Sequence, residues 1–464
     1  MGTAIVAACL VFVVILLWID RGNEPDASPA LWFVLSWMFI AGSRSPSSWI
    51  GVSPTFDNAQ AFSDGSPFDA AVYLAHIAVT VVILARRNID WPRLLGENKL
   101  VALYLLYCLA SAAWSDDSVV TLKRWFKDLG NPLLALIILT DPNPVRAFGW
   151  VMRRLSFLVV PLSIVFIMYV PELGRSFSVS GVPMYIGVGS QKNDLGLSCL
   201  LVGMYFVWLM LLDRGRFKSW TAGLRGACVL MMAGTLYALW LSNSQTSVVC
   251  LAVASAVFGI ARSGFVQSAP SRLVWVVIGS LGLLALFENV FDVSGEIYAL
   301  LGRNPTLTNR TQLWALLTDF QSSPLLGTGF MSFWSGERMT QLWNLVGATL
   351  NQAHNGYLEQ YLNMGAVGMA FIVLLLLNAL WSAWRKMPQE PLMGAMRVAV
   401  VVVAAVYNYT EASFYGINNM WLLTMLAFID VSPGAVRARQ GATQSDGAFA
   451  VGSASPRGGD APLA

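Results

Sequence analysis

Long apolar runs separated by shorter polar segments repeat along the chain from its first residues to about residue 430. A helix needs about 20 mostly apolar residues to cross a bilayer. Strands of a membrane β-barrel alternate in polarity instead, so these solid runs predict helices. Thirteen candidate spans lie at about 3–19, 29–42, 69–85, 99–114, 129–140, 155–170, 195–212, 225–242, 246–261, 273–289, 356–384, 395–411 and 417–430.

Composition agrees with this pattern. Apolar residues make up 56% of the 464 residues and charged residues only 12%, whereas a soluble domain carries about 25% charged residues. We therefore expect an all-α polytopic integral membrane protein with about 12–13 transmembrane helices. Residues 1–430 are expected to form one bundle that includes a long polar loop at 290–355. Residues 431–464, rich in Gly, Ala and Ser, are expected to form a disordered cytoplasmic tail.

The distribution of basic residues predicts an orientation. When alternate loops are assigned to opposite sides, twenty of the 29 Lys and Arg residues fall on one side and nine on the other. Cytoplasmic loops carry the excess of basic residues, so the 290–355 loop and the loop at 171–194 are expected outside. The first run has no basic segment before it and no signal cleavage site, which favours a retained helix. Whether both of the first two runs span stays open.

The end of the long external loop predicts an amphipathic helix. Its apolar face would be formed by Leu313, Leu316, Leu317 and Phe320, spaced i, i+3, i+4 and i+7. Asn309 suits the N-cap, with Gln312 three residues on, and Pro324 would stop the helix. Arg310 then lies in the first turn, where free N–H groups and a cation suit a bound phosphate. The alternative is an exposed arginine without a ligand.

The two histidines differ in position. His354 comes directly before the 356–384 run, where the external loop enters the bilayer, and a neutral imidazole there could accept a proton. The alternative is an ordinary interfacial polar side chain. His76 lies in the middle of a span, where packing or a local helix hydrogen bond is expected. The five cysteines all lie within apolar runs, without CxxC spacing, and are expected to be buried.

Further polar patches end the predicted spans on the same external side. They contain Asp116, Lys123 and Arg124; Lys192 and Asn193; the segment 242–247; and Glu411. Nine external basic residues run against the usual bias and suggest an anionic ligand. The formal net charge of +3 is too small to indicate nucleic acid. Two histidines and no clustered carboxylates make a dedicated metal site unexpected.

These stretches together resemble the O-antigen ligase and Wzy-type polymerase superfamily of bacterial envelope glycan enzymes. The resemblance rests on the segment 309–330 with Arg310, on His354-Asn-Gly-Tyr-Leu-Glu359, on Trp114-Ser-Asp-Asp and Thr121-Leu-Lys-Arg124, on Gln191-Lys-Asn193, and on Ser242-Asn-Ser-Gln-Thr-Ser247. Gln191 and Gln245 stand where many members carry His and Arg. The N-terminal part resembles the exopolysaccharide-polymerase branch.

The resemblance implies a metal-independent, cofactor-free glycosyltransferase of the bacterial inner membrane. Its donor would be an undecaprenyl-pyrophosphate-linked glycan, its acceptor a glycan or a lipid, and its active site would face outward. His354 would be catalytic. The substrate-binding residues would be Arg310, Lys192, Arg124, Lys123, Asn193, Asn355 and Glu411. Ligase and polymerase chemistry cannot be separated from these motifs. A polysaccharide or small-solute transporter is the alternative, and it would show inverted repeats and charges at helix centres.

Overall fold

The computed structural model describes residues 2–23, 27–52, 65–177, 181–291, 310–347, 349–432 and 434–436. The chain folds into helices joined by short loops, as predicted. The helices are α1 Gly2–Asp20, α2 Leu31–Ala41, α3 Pro46–Trp49, α4 Pro67–Ala85, α5 Trp91–Glu97, α6 Lys99–Ala110, α7 Ser118–Asp128, α8 Gly130–Leu139, α9 Pro144–Tyr169, α10 Pro171–Gly174, α11 Lys192–Leu211, α12 Arg214–Ser219, α13 Ala222–Ser242, α14 Gln245–Arg262, α15 Gly264–Gln267, α16 Arg272–Phe291, α17 Arg310–Asp319, α18 Gly336–Val346, α19 Gly356–Lys386, α20 Pro391–Thr410 and α21 Asn419–Phe428.

Strands are confined to one short hairpin within the described residues. Strands β1 Arg175–Phe177 and β2 Pro183–Tyr185 pair antiparallel, with Ser176 opposite Met184. The hairpin follows α10, in the loop between α9 and α11 that was expected outside. The prediction of an all-α polytopic membrane protein is therefore confirmed.

Eight of the described helices are long and apolar enough to cross a membrane: α1, α4, α9, α11, α13, α14, α19 and α20. A ninth span results if α5 and the helical segment Lys99–Ala113 count as one, although they bend by 89°. The apolar runs at 29–42, 99–114, 129–140 and 417–430 form shorter helices. In α8 and α21, all but one residue of the first and all ten of the second are buried.

Those short helices explain why the apolar runs outnumber the long spans. A helix of ten residues covers only about half of the hydrocarbon thickness. Irregular backbone at membrane depth is tolerated where protein covers it, and α8 and α21 pack against each other inside the bundle. The runs at 129–140 and 417–430 thus supply core helices whose surfaces face protein.

The centre of the bundle is formed by α9, which packs on α1, α2, α11 and α13. In the third turn of α9, Arg153 and Arg154 each donate to the Asp20 carboxylate at 2.7 Å. Arg153 lies over the Trp220 ring, and Arg154 lies 3.8 Å from the centre of the Trp150 ring. Buried guanidinium groups need such partners because desolvation of an unpaired charge costs several kcal/mol, about 3–5 when one partner is removed.

A second ionic cluster lies at the inner end of α20. Arg397 and Lys386 bind Asp430 at 2.6 and 3.0 Å, and Ser382 donates to the same carboxylate. Burial alone would raise the pKa of Asp430, but these three partners lower it. Nearby, Asn98 exchanges two hydrogen bonds of 2.7 Å with the Asp430 main chain. This cluster closes the end of the bundle assigned to the cytoplasm.

The contacts between loops agree with the two sides to which the charge count assigns those loops. Among loops assigned outside, Arg338 pairs with Asp116 at 2.6 Å and Asn193 pairs with Glu411 at 2.9 Å. Arg44 also donates to the carbonyl of Leu173 there. The two ionic clusters described above join only residues assigned inside.

The long polar loop has its own small core. Helix α17 begins at Arg310 and ends at Asp319, as the periodicity predicts, while Asn309 and most of the preceding loop lie outside the described residues. The predicted apolar face of α17 packs on a cluster that also holds residues of α18, which the sequence analysis did not predict. The cluster contains Leu317, Phe333, Trp334, Met339, Leu342, Ala353 and Leu362.

Two predictions about single residue types are confirmed, and the tail begins differently from expectation. His76 binds the Val72 carbonyl of its own helix at 2.9 Å and Ser36 at 3.1 Å. All five cysteines are free and buried. The first tail residues are ordered, because Ala435 accepts from Asp90 and Ser432 donates to Glu97 at 2.7 Å. Residues 437–464 lie outside the described residues.

The predicted orientation can be tested with a single introduced cysteine. In a cysteine-free background, Gln341→Cys on the exposed face of α18 should react with a membrane-impermeant maleimide in intact cells. Lys218→Cys, exposed on the opposite side, should react only after the membrane is permeabilised. The reverse pattern, with both proteins expressed, would invert the map.

Candidate functional site

A single carboxylate joins three distant parts of the chain at the end of the bundle that was predicted to face outside. Glu411 Oε1 accepts from Asn193 Nδ2 at 2.9 Å and from Arg310 Nη2 at 3.2 Å. Glu411 Oε2 lies 3.4 Å from His354 Nδ1. The structure therefore brings together four residues that the sequence analysis assigned to one site, and we call them the Glu411 cluster.

The position of Glu411 follows from the end of α20. Its N–H closes the last helical turn onto the Tyr407 carbonyl, and its carbonyl accepts from Gly356 N–H, each at 2.9 Å. Gly356 begins α19 and cannot carry a side chain here, because a Cβ atom would lie 2.0 Å from Asn408 Oδ1. The main chain of Glu411 thus holds the start of α19 against the end of α20.

His354 lies immediately before α19 with a left-handed backbone, at φ +52°. Histidine is among the residues that adopt this region more readily than most, although it still stores some strain. Its side chain is 30% exposed, whereas that of Glu411 is 8% exposed. A carboxylate at Nδ1 favours the tautomer that carries a proton there, so Nε2 is left as the acceptor.

Arg310 occupies the first turn of α17 and reaches across to α20. One terminal nitrogen binds the Thr410 carbonyl and the other binds Glu411. A guanidinium has five N–H donors, so these two contacts leave donors for a ligand. The Arg310 side chain is 21% exposed. It is fixed by protein but still open on one side.

Lys192 and Asn193 form the first turn of α11. Asp194 holds this turn in place, because its carboxylate accepts from the backbone N–H groups of Ser190 and Gln191 at 3.1 Å. Lys192 has no ion pair or hydrogen bond among the described residues, while its neighbour Asn193 binds Glu411. Among the described residues, the Lys192 ammonium is therefore an unpaired cation, next in sequence to Asn193 of the Glu411 cluster.

A separate group of cations lies on α7. Arg124 donates to the Met331 carbonyl, while Lys123 is exposed. Burial lowers the pKa of Arg124, and burial together with Arg124 lowers the pKa of Lys127. Lys127 was counted among the external cations but not assigned to the site. These like charges on one helix repel each other, so an anion would be stabilised beside them.

Asn355 has a structural task in this arrangement. Its Oδ1 accepts from the N–H groups of Tyr357 and Leu358, both at 3.0 Å, and so caps α19. The sequence analysis assigned Asn355 to substrate binding. Its amide nitrogen has no hydrogen bond among the described residues, so any substrate contact would have to come from that group.

The sequence analysis quoted Glu359 in the histidine segment without giving it a role. This carboxylate is fully buried and accepts from Trp334 Nε1 at 3.0 Å, from Asn363 and from the Ala353 N–H. Tyr415 also binds it, and burial raises the pKa of the Tyr415 hydroxyl well above its usual value. Glu359 thus fixes the residue before His354. The sequence feature that could have indicated this role of Glu359 is a carboxylate five residues after the histidine, one helical turn into α19.

Asp128 supports the other side of the site. It accepts from Gly416 N–H at 2.7 Å and from Trp421 Nε1 at 3.1 Å. Burial raises the pKa of Asp128 to about 7, although these hydrogen bonds oppose that effect. Asp128 lies one residue before the predicted span at 129–140, and the sequence analysis gave it no role. Its contacts hold the loop that follows Glu411.

Comparisons with known proteins concern the family of the chain. Residues 226–373 match the family model for O-antigen ligase, and this region holds Arg310 and His354. The chain is also 22% identical over 313 residues to the exopolysaccharide production protein ExoQ of Rhizobium meliloti (strain 1021), covering 65% of this chain and 69% of the relative. The resemblance to the O-antigen ligase and polymerase superfamily is thereby confirmed.

Substitution can test whether Asn355 stabilises the protein as the N-cap of α19. Asn355→Ser and Asn355→Asp keep an N-cap acceptor and should retain the thermal stability of the purified protein. Asn355→Ala should lower the free energy of unfolding by about 0.5–2 kcal/mol, the usual cost of a lost cap. Equal stability of all three variants would show that the cap contributes little.

Proposed function

We propose that this chain transfers a glycan from undecaprenyl pyrophosphate to an acceptor hydroxyl at the external face of the inner membrane. The proposal is made for a multi-pass membrane protein of the O-antigen ligase and exopolysaccharide-polymerase type. The observation that carries the proposal is the Glu411 cluster, which places a histidine and an arginine on opposite oxygens of one carboxylate.

The proposed reaction makes two demands on the site. The acceptor oxygen attacks the anomeric carbon while the bond to the lipid pyrophosphate breaks, so inversion is expected. The leaving pyrophosphate takes the bonding electrons, and its growing charge needs fixed cations. The acceptor hydroxyl must be aimed and must lose its proton.

Arg310 and Lys192 meet the first demand in this proposal. Arg310 keeps free donors after its two protein contacts, and Lys192 has no acidic partner among the described residues. Arg124 and Lys123 add positive charge on α7. Fixed cations supply the stabilisation here without a divalent metal, and Lys192 has to compensate for Gln191 and Gln245, which carry no charge.

His354 meets the second demand. With its proton on Nδ1 facing Glu411, Nε2 accepts the proton of the acceptor hydroxyl. Glu411 then stabilises the imidazolium that forms. Glu411 acts through His354 and Arg310, so we assign it a positioning role within the substrate site. A transporter would instead place such charges at helix centres, whereas this cluster lies at the ends of α11, α17 and α20.

Removing the Arg310 guanidinium should weaken use of the donor. A charge-assisted hydrogen bond contributes about 1.5–3 kcal/mol, so Arg310→Ala should reduce kcat/KM for the lipid-linked donor by about tenfold or more. Lys192→Ala should act in the same direction. The measurement is glycan transfer by purified protein with varied donor.

Arg338→Ala is the matched control, because Arg338 lies on the same loop but pairs with Asp116 away from the cluster. It should keep donor kinetics within about twofold of the wild-type value, the scale of an exposed ion pair. Unchanged donor kinetics in Arg310→Ala would make Arg310 an ordinary loop arginine.

Removing the His354 imidazole should slow turnover with little effect on donor binding. General acid–base help is worth about 10²–10⁴-fold, so His354→Ala should lower kcat by this factor while donor KM changes little. The pH–rate profile should lose the limb that the imidazole provides. His354→Gln should recover part of the rate if aiming matters more than proton transfer.

The contrary result for His354 is equally specific. If His354→Ala abolishes donor binding but leaves the rate of the bound donor unchanged, the imidazole belongs to the pyrophosphate site. The general-base role assigned above would then be wrong.

A further inference from the structure

A polar cavity of about 210 Å³ lies beside the Glu411 cluster. It is enclosed where the end of α2, the second turn of α4, the start of α11 and the start of α21 meet. Ser43, Tyr73, Ser198 and Asn419 are among the side chains of these elements that line it. Nothing in the proposed mechanism uses this cavity.

The cavity and the Glu411 cluster share one helical turn. Asn193 binds Glu411 at 2.9 Å, and the next residue, Asp194, lines the cavity. The loop that begins at Glu411 also leads within eight residues to Asn418 and Asn419, which form the opposite wall. A ligand in the cavity is therefore adjacent to the groups proposed to act on the glycan.

The lining has a distinctive chemistry. It presents serine and tyrosine hydroxyls, two amides and one carboxylate, and no Lys or Arg among the described residues that line it. Ile40, Leu197 and Ile417 supply apolar surface between them. A neutral ring that carries several hydroxyl groups on an apolar carbon frame matches this mixture, whereas a phosphate would face Asp194 with no cation beside it.

One buried atom in the wall lacks its expected partner. Asn419 is 2% exposed, and its Nδ2 donates to the Met38 carbonyl at 2.8 Å. Its Oδ1 is buried and has no hydrogen-bond donor among the described residues. A buried acceptor without a donor costs about 1–3 kcal/mol. The Tyr73 hydroxyl likewise has no partner among those residues, so the wall of the cavity contains an unpaired acceptor and an unpaired donor.

We propose that this cavity is a saccharide subsite that holds one neutral pyranose unit of the glycan substrates. The proposal rests on the proposed transfer reaction, which brings both a donor glycan and an acceptor to this end of the bundle. The Tyr73 hydroxyl donates to a ring or hydroxyl oxygen of the sugar, the Ser198 hydroxyl accepts from one sugar hydroxyl, and Asp194 accepts from another. A metal site does not fit, because no group of three His, Cys, Asp or Glu side chains exists among the described residues.

The kinetic test uses a conservative double variant, Tyr73→Phe with Ser198→Ala, which removes two hydroxyls. Among the described residues, the Ser198 hydroxyl otherwise hydrogen-bonds only to the Gly42 carbonyl, at 3.4 Å. The matched control is Tyr237→Phe with Ser255→Ala, in α13 and α14 away from the cavity. Loss of two neutral hydrogen bonds should raise one substrate KM by about fivefold or more, with kcat within twofold. A rise in acceptor KM identifies the acceptor sugar as occupant, and a rise in donor KM identifies the donor sugar. If neither KM changes, the subsite is wrong.

A binding test separates this proposal from the transfer reaction itself. Saturation-transfer NMR on the purified full chain in detergent, with methyl glucoside or methyl galactoside as the probe, should show ring-proton signals in the wild type and in Arg310→Ala. The double variant should lose at least about two thirds of that signal, since it lacks two of the hydroxyls. Equal signals in the wild type and the double variant, including none in either, overturn the subsite. Specific signals from a protein that transfers no glycan would instead overturn the proposed function alone.

Discussion

The arrangement of the outer face depends on one carboxylate at the end of α20. Glu411 binds partners that lie 57, 101 and 218 residues away in the sequence. Its main chain also joins α20 to the start of α19. A buried carboxylate without these donors would be costly, so α11, α17 and the loop before α19 are each held where their donor reaches it. The positions of Arg310 and His354 relative to each other follow from this constraint.

Among the described residues, Glu411 neutralises only part of the positive charge at the site. Glu411 balances Arg310, but Lys192, Lys123 and Lys127 have no ion pair among the described residues. Burial lowers the pKa of Lys127, and the neighbouring Arg124 and Lys123 lower it further. In partly desolvated surroundings such charges act more strongly than in water. A site built this way is stabilised by an anion, and the predicted preference for a pyrophosphate follows from the balance of charge.

The sequence predicted local features well and long-range pairings poorly. The apolar face of α17 and the first-turn position of Arg310 follow from a helical period, and His76 binds its own helix as expected. The number of long spans was harder to derive from the sequence, because apolar residues are favoured both in contact with lipid and in the interior of a protein. The runs that became α8 and α21 therefore looked like spans. Helix α18 was missed although Met339, Leu342, Trp343 and Val346 have the same i, i+3, i+4, i+7 spacing as the apolar face of α17. The bonds from Glu411 and Glu359 were also out of reach, since charge and spacing do not state which distant residues meet.

The histidine is held more firmly than its position in a loop suggests, and this bears on what it can do. On one side, the Ala353 carbonyl accepts from Trp314 at 2.8 Å and its N–H donates to Glu359. On the other, Asn355 caps α19 and Gly356 donates to the Glu411 carbonyl. Every neighbour of His354 from 353 to 356 is therefore fixed by a hydrogen bond, and its left-handed backbone is maintained by these contacts. A base that is placed before the substrate arrives needs no reorganisation during the reaction. In the proposed reaction, the energy of binding the glycan is then available to align the acceptor hydroxyl with an imidazole that is already in position.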